Sequence, residues 1–148
     1  MPAHETARGK AVRATLCLLN KERGARGLGA LRPDAQSAQA AGRHNRLMVA
    51  RTCFSHLCSG EDDLVGRMAS SGYLPCDCTW LVGENIGWGA GGTASPRKIV
   101  AAWMRSSPHR INILNPTFDE IGIAIDRGSP ESNSRDAATY TTDFGFKG

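Results

Sequence analysis

Apolar residues recur at helical spacing near the start of the chain, with Val12, Leu16 and Leu19 on one side and Asn20, Lys21 and Arg23 completing a polar one. The pattern predicts an amphipathic helix over residues 12–23, ended near Gly24 and Gly27. Residues 1–11 then form an N-terminal tail before a single domain over residues 12–148. Pro33-Asp34 opens a second helix, with Asp34 as N-cap, Ala38, Ala41 and Met48 on its inner face, and Gly42 weakening its middle. After a loop around residues 54–60, Leu64, Val65 and Met68 predict a short third helix that Gly72 closes. Residues 81–88 are apolar and bracketed by glycines. They read as a strand carrying Gly83-Glu84-Asn85, followed by a glycine-rich turn.

Ser95-Pro96 pairs a capping serine with proline at the first helical position and leads into Ile99, Val100, Trp103 and Met104. Ser107-Pro108 repeats the device for a short helix over residues 109–114, which Pro116 ends. Residues 120–125 and 138–146 alternate apolar and polar positions, as strands do, and a polar loop between them makes a long hairpin connection. Three or four helices around a small, mostly antiparallel sheet give an α/β fold, a three-layer α/β/α sandwich with helices on both faces.

At 41% hydrophobic and 22% charged residues the composition is that of a folded globular chain, which excludes disordered and fibrous classes. The net charge of +4 is spread along the predicted helices, without a basic block interleaved with aromatics, so no nucleic-acid partner is expected. The charge suits a mild attraction to anionic lipid headgroups or cell-wall polymers. No run of about 18 apolar residues occurs, so no transmembrane segment is expected. The first ten residues lack the apolar core of a signal peptide, which leaves a cytoplasmic chain or one whose leader is absent from this sequence.

Five cysteines, Cys17, Cys53, Cys58, Cys76 and Cys78, leave at least one thiol unpaired and allow two disulfides at most. Cys53 with Cys58 and Cys76 with Cys78 are close in sequence. A Cys-x-Cys bridge is strained, so longer-range pairs are expected. Cys53, His56, Cys58, Cys76 and Cys78 also offer four thiols and an imidazole in two adjacent loops. A structural zinc cluster is therefore an alternative, although these spacings differ from zinc knuckles.

His56, Glu84 and His109 fall at element edges, where scaffolds support sites. His109 lies in the first turn of a helix, whose dipole disfavours the imidazolium and keeps the metal-binding neutral ring. Glu84 follows a glycine inside an apolar strand, so it is either paired with a cation or histidine, or pushed up in pKa by burial. A structural carboxylate that bonds a backbone turn is the alternative. Among Trp80, Trp88 and Trp103, Trp88 in the glycine-rich turn is the one expected to be exposed at a ligand groove; His44 is assigned to structure.

Read together, the residues resemble the bacterial form of the CAP superfamily, also called SCP-like or pathogenesis-related-1-like proteins. The resemblance is carried by Leu19-Asn20 with Glu22-Arg23, Met48, Phe54-Ser55-His56, Arg67, Gly72-Tyr73, Gly83-Glu84-Asn85-Ile86 and Trp103-Met104. It continues through Ser107-Pro108-His109-Arg110, Asn112-Ile113-Leu114, Ile121-Gly122 and Asp143-Phe144-Gly145. It implies an α/β/α sandwich, usually exported, whose cleft brings together two histidines and two acids that hold a divalent cation such as zinc. The histidine positions fall on His56 and His109 and the first acid on Glu84, whereas the second acid position is Ser106. The implied function is an extracellular binding module for a lipid, sterol or other cell-envelope component, with Asn85, Ser106 and Trp88 lining the cleft. Two histidines and a carboxylate leave an open coordination position, so a zinc-dependent hydrolase using His56, Glu84 and His109 is the alternative. No nucleophile elbow, HExxH or Cys-His pairing is spelled out, so an enzyme is not the expected reading. Two departures carry expectations: Ser37 replaces a usually buried leucine and loosens helix packing, and the missing glycine between Pro108 and His109 rotates His109 relative to the cleft.

Overall fold

The computed structural model describes residues 5–131 and 136–148. Helix α1 runs Ala7–Gly24, beginning within the expected tail because Thr6 caps it: its Oγ1 accepts from the Gly9 amide at 2.9 Å. Arg8 adds an ion pair to Asp126 at 3.1 Å, so residues 7–11 are helical. The polar side of α1 also differs from expectation. Arg23 is 1% exposed and Asn20 receives the Leu31 amide at 2.8 Å, so both face inward. Helix α2, Ala35–Arg51, starts at the predicted Asp34 cap, which accepts from Ser37 N at 2.8 Å. Helix α3, Leu64–Ser70, is capped by Asp63 and followed by Gly72 at φ +87°, a left-handed position that only glycine takes without strain.

Strand β1 (Arg32–Pro33) is short, and β2 spans Trp80–Ala90, longer than predicted at both ends. Trp88 therefore lies on a strand rather than in a turn. A short 3-10 turn, Gly91–Ala94, leads to α4 (Pro96–Met104), capped by Ser95 as expected, and α5 (Ser107–Ile113). The last strands are β3, Glu120–Arg127, and β4, Ala137–Lys147. The middle of the polar connection expected between them, residues 132–135, lies outside the described residues. The sheet order is β1-β3-β4-β2, with β1 parallel to β3 and the other pairs antiparallel. Among the described residues five α-helices flank this sheet, which makes the expected α/β/α sandwich.

Strand periodicity explains the layers. Ile121, Ile125, Tyr140 and Phe144 point to one face, where they join Leu19, Ile99, Val100, Trp103 and Ile113 in the main core. The opposite faces of β3 and β4 present Gly122, Asp126, Thr139, Thr141 and Asp143 to α2. That interface is polar: Asn45 donates to Asp126 at 2.8 Å and to the Thr139 carbonyl at 2.9 Å, and accepts from Thr141 at 2.8 Å. Gly122 sits so close to α2 that a β-carbon there would run into the Ser37–Ala38 peptide. Ser37 does not loosen the packing. It is fully buried and donates to the Asp143 carbonyl at 2.7 Å, a hydrogen bond that leucine cannot make.

The cysteines pair Cys53 with Cys58 and Cys76 with Cys78, while Cys17 is free and exposed on α1. This corrects the expectation of longer-range pairs. The local loops bring Cα atoms to 6.1 and 5.2 Å, so each cysteine finds its partner within its own loop. A cluster of Cys53, His56, Cys58, Cys76 and Cys78 around zinc is overturned with it, because sulfur in a disulfide is not a thiolate.

Candidate functional site at the edge of the sheet

Among the described residues strand β2 is an edge strand, bonded to β4. Its alternation divides the site residues. Glu84 and Ile86 face the α2 and α3 side, whereas Gly83, Asn85 and Gly87 face α4 and α5. Glu84 lies opposite Asp143 in the β2–β4 register, which puts two carboxyl groups side by side beneath α3. Arg67 from α3 is placed between them, and its side chain is only 5% exposed.

The Arg67 guanidinium clamps Glu84 through both oxygens, at 2.8 and 3.2 Å. It also donates to the His56 carbonyl at 3.0 Å, lies 3.6 Å from Asp143 and 3.3 Å from Glu61. His56 Nδ1 adds a third bond to Glu84, at 2.8 Å. Burial by itself would raise the Glu84 pKa. Hydrogen bonds from Asp143, His56 and Arg67, with the charge of Arg67, outweigh it and bring the group down to about 2. The expected pairing of Glu84 is thus with a cation and a histidine together. Asp143 behaves oppositely. It is fully buried, its oxygens meet no N–H or O–H donor in hydrogen-bond geometry among the described residues, and burial next to ionised Glu84 pushes its pKa well up. Two neighbouring carboxyls disfavour double ionisation, and with Arg67 holding Glu84 it is Asp143 whose protonated form is favoured.

Asp143→Asn tests this assignment. An amide keeps the donor toward Glu84 and the carbonyl toward Arg67, so stability at neutral pH is expected to change by no more than about 1 kcal/mol. Urea denaturation measures it; a loss of several kcal/mol would mean that Asp143 is ionised.

His109 reaches the same edge from α5. Ser106, not Ser107, is the N-cap residue of α5, yet its hydroxyl caps no backbone amide. It pairs with His109 Nδ1 at 2.8 Å instead. The imidazole stacks on Trp103 with centroids 6.3 Å apart, and Asn85 holds the His109 carbonyl at 3.0 Å. The pKa of His109 is lowered, first by burial and then by the charge of His56, so the ring is neutral at pH 7. That agrees with the expected neutral state, but burial rather than the helix dipole is the main cause.

Beside His109 opens a cleft of about 260 Å³, lined by Phe54, Ile86, Trp88, Trp103, Ser106 and His109 among others. Its walls are largely apolar, and Phe54 stands 39% exposed at its rim. The Cys53–Cys58 bridge encloses residues 54–57 and so carries both Phe54 and His56, whose side chain is 58% exposed. Trp88 is half-buried in this cleft, while Trp80 is the most exposed tryptophan and Trp103 is buried, donating to the Ile86 carbonyl at 3.0 Å. Asn85, expected in the cleft, is fully buried and links β2 to α5, accepting from Asn112 at 2.9 Å.

His56 and Glu84 are therefore in contact and His109 interacts with His56 electrostatically. Among the described residues, however, the set of metal-ligating atoms within 4.8 Å of one another is His44, Cys58 and Glu61, not His56, Glu84 and His109. Sequence reasoning assigned no role to Arg67, Glu61 or Asp143 and gave His44 to structure. The signal available for Asp143 was a lone acid inside an apolar alternating strand.

The chain matches the model of the cysteine-rich secretory protein family, CAP, over residues 16–144. The protein YkwD of Bacillus subtilis is 34% identical over 113 residues, which cover 76% of this chain and 41% of YkwD. An extracellular protein containing an SCP domain from Bacillus anthracis superposes with a TM-score of 0.75 at 25% identity, covering 95% of this chain and 41% of that one. An outer surface protein from Borrelia burgdorferi superposes with a TM-score of 0.79 at 16% identity, covering 98% of both chains, a likeness of fold. This chain thus spans about two-fifths of the length of the two Bacillus relatives.

Proposed function

The chain belongs to the cysteine-rich secretory protein (CAP) family, and from that premise we propose that it is an exported binding module. Its cleft beside β2 takes a small, largely apolar ligand of the cell envelope, a lipid or sterol among them, and a divalent cation such as zinc at His56 and His109 engages the ligand's polar end. The observation that carries this reading is how the two imidazoles are held. Each is fixed through Nδ1, by Glu84 and by Ser106, and each Nε2 finds no hydrogen-bond partner among the described residues. A histidine whose Nδ1 proton is held by a carboxylate or hydroxyl presents a basic, oriented Nε2 to a metal.

The donor set fits a cation in a modified form. Glu84 has its oxygens taken by Arg67 and His56, so it orients His56 rather than acting as a ligand. Two imidazoles then leave open positions for a polar ligand group, and the cation would supply a Lewis-acidic anchor there. The same engagement weighs against the hydrolase reading: a carboxylate held at about 2 by three hydrogen-bonding neighbours is a weak base. The extracellular setting of the Bacillus anthracis relative supports export. The net charge of +4 suits an anionic envelope. No helix among the described residues is long and apolar enough to cross a membrane.

Calorimetric titration of zinc into the disulfide-bonded protein tests the reading. Wild type is expected to bind, His56→Ala and His109→Ala to lose binding, and Ser106→Ala to weaken it by about tenfold through a misoriented His109. Binding that survives in both histidine variants would sink the proposal.

A further inference from the structure

A second group of ligating side chains lies on the α2 and α3 side of the sheet, next to Glu84 and beneath the loop that carries His56. His44 comes from α2, and Cys58 and Glu61 from the loop that follows it. One ligand atom of each lies within 4.8 Å of the others. Cys58 cannot serve as a ligand while it is bonded to Cys53. Reduction changes two things at once: it frees Cys58 and leaves the Cys53 sulfur beside it, completing four donors.

We propose that reducing the Cys53–Cys58 disulfide opens a metal site of Cys53, Cys58, His44 and Glu61 that binds a zinc-class divalent cation. Two thiolates, an imidazole and a carboxylate are a tetrahedral zinc donor set. Glu61 is already held in place, accepting from the Cys58 amide at 2.9 Å and pairing with His44 Nδ1 at 2.7 Å. His44 is fully buried, and among the described residues its Nε2 has no hydrogen-bond partner, although Glu84 Oε1 lies 3.8 Å away. A buried imidazole with one nitrogen on a ligating carboxylate and the other facing a second carboxylate has the surroundings of a metal-bound histidine. Two thiolates and Glu61 exceed a divalent cation by one negative charge, and the Arg67 guanidinium, 3.3 Å from Glu61 as well as on Glu84, lies close enough to moderate it. A cleft of about 270 Å³, lined by Arg43, Gly60, Glu61, Asp62 and Arg67 among others, gives a route from solvent.

The redox step needs a dithiol. One of its thiolates attacks a sulfur of the disulfide and breaks the S–S bond. Its second thiol then resolves the mixed disulfide, leaving the reductant as a cyclic disulfide and the protein with two thiols. Each thiol releases its proton on binding the cation, which closes across residues 54–57 the loop that the disulfide had closed.

Cobalt(II), added to the oxidised and to the reduced chain, reads the site. A thiolate-to-cobalt charge-transfer band is expected only after reduction, and it is expected to vanish in Cys58→Ser and His44→Gln while persisting in a Cys76→Ser, Cys78→Ser double variant. In reduced wild-type protein, where no variant can misfold, zinc is expected to shield Cys53 and Cys58 from alkylation while Cys17, Cys76 and Cys78 react. No band after reduction, a band that needs Cys76 or Cys78, or alkylation of Cys58 unaffected by zinc would overturn the proposal. Because the band reports sulfur ligation, it is independent of any cation at His56 and His109.

Discussion

Arg67→Met is expected to cost about 3–5 kcal/mol, because it strips the cation from a buried carboxylate while leaving the charge in place. Glu84 would keep His56 and Asp143 as hydrogen-bonding partners, the His56 carbonyl would lose a donor and Glu61 an ion-pair partner. Thermal or urea denaturation measures the loss. The pH dependence separates this cause from a simple packing defect. In the wild type the Glu84 pKa falls from an ordinary 4.5 to about 2, so the native state favours the ionised form. Its contribution is complete above pH 4.5 and disappears as pH falls toward 2. In Arg67→Met the carboxylate has lost its main cation, so its pKa rises and mild acid relieves the variant. The stability gap between the two proteins is therefore expected to narrow as pH falls. A gap that stays constant from neutral pH to about pH 3 would show that Arg67 contributes through its volume rather than its charge.

Arg23→Met is the second large effect, again about 3–5 kcal/mol, since four carbonyls, two of them in buried bonds, lose their donor together. Arg23 reaches from α1 across the main core and donates to the carbonyls of Gly29 at 2.8 Å, Ile113 at 2.8 Å, Asn115 at 2.9 Å and Phe118 at 2.9 Å. These lie in the loop after α1 and in the α5-to-β3 connection, so one guanidinium ties both loops to a helix. Arg23→Lys is expected to recover little, because an ammonium cannot reach four acceptors in a planar array. Hydrogen exchange should show the loss concentrated in residues 113–119. Equal destabilisation of the α2 and α3 side would contradict this account.

Those two arginines also mark where sequence reading stopped. Arg23 sits among polar residues on a helix whose apolar stripe is short, so periodicity puts it outside; four loop carbonyls from distant segments draw it in. Arg67 occupies a helix turn with only Glu61 near it in sequence, and the carboxyls that bury it stand 17 residues away at Glu84 and on the neighbouring strand at Asp143. Ser37 is similar. Judged by volume it is a defect in a helix face, but a strand carbonyl at 2.7 Å makes it a tie between α2 and β4.

What the chain determined by itself is local. The caps at Asp34 and Ser95, the third helix closed at Gly72, the alternation in β3 and β4 and the sandwich class follow from interactions within a few residues, and the structure bears them out. The family also follows, because many short motifs stand in one order from Leu19 to Gly145. Tertiary structure decided the rest: that Cys53 and Cys76 pair within their own loops, that Ser106 turns from capping α5 to holding His109, that Asn85 is buried, and that Glu84 meets Asp143 across a ladder. Each depends on strand register or on how closely two elements approach. Those distances are set when α2, α3 and α5 pack on the sheet, and no periodicity within a single element encodes them.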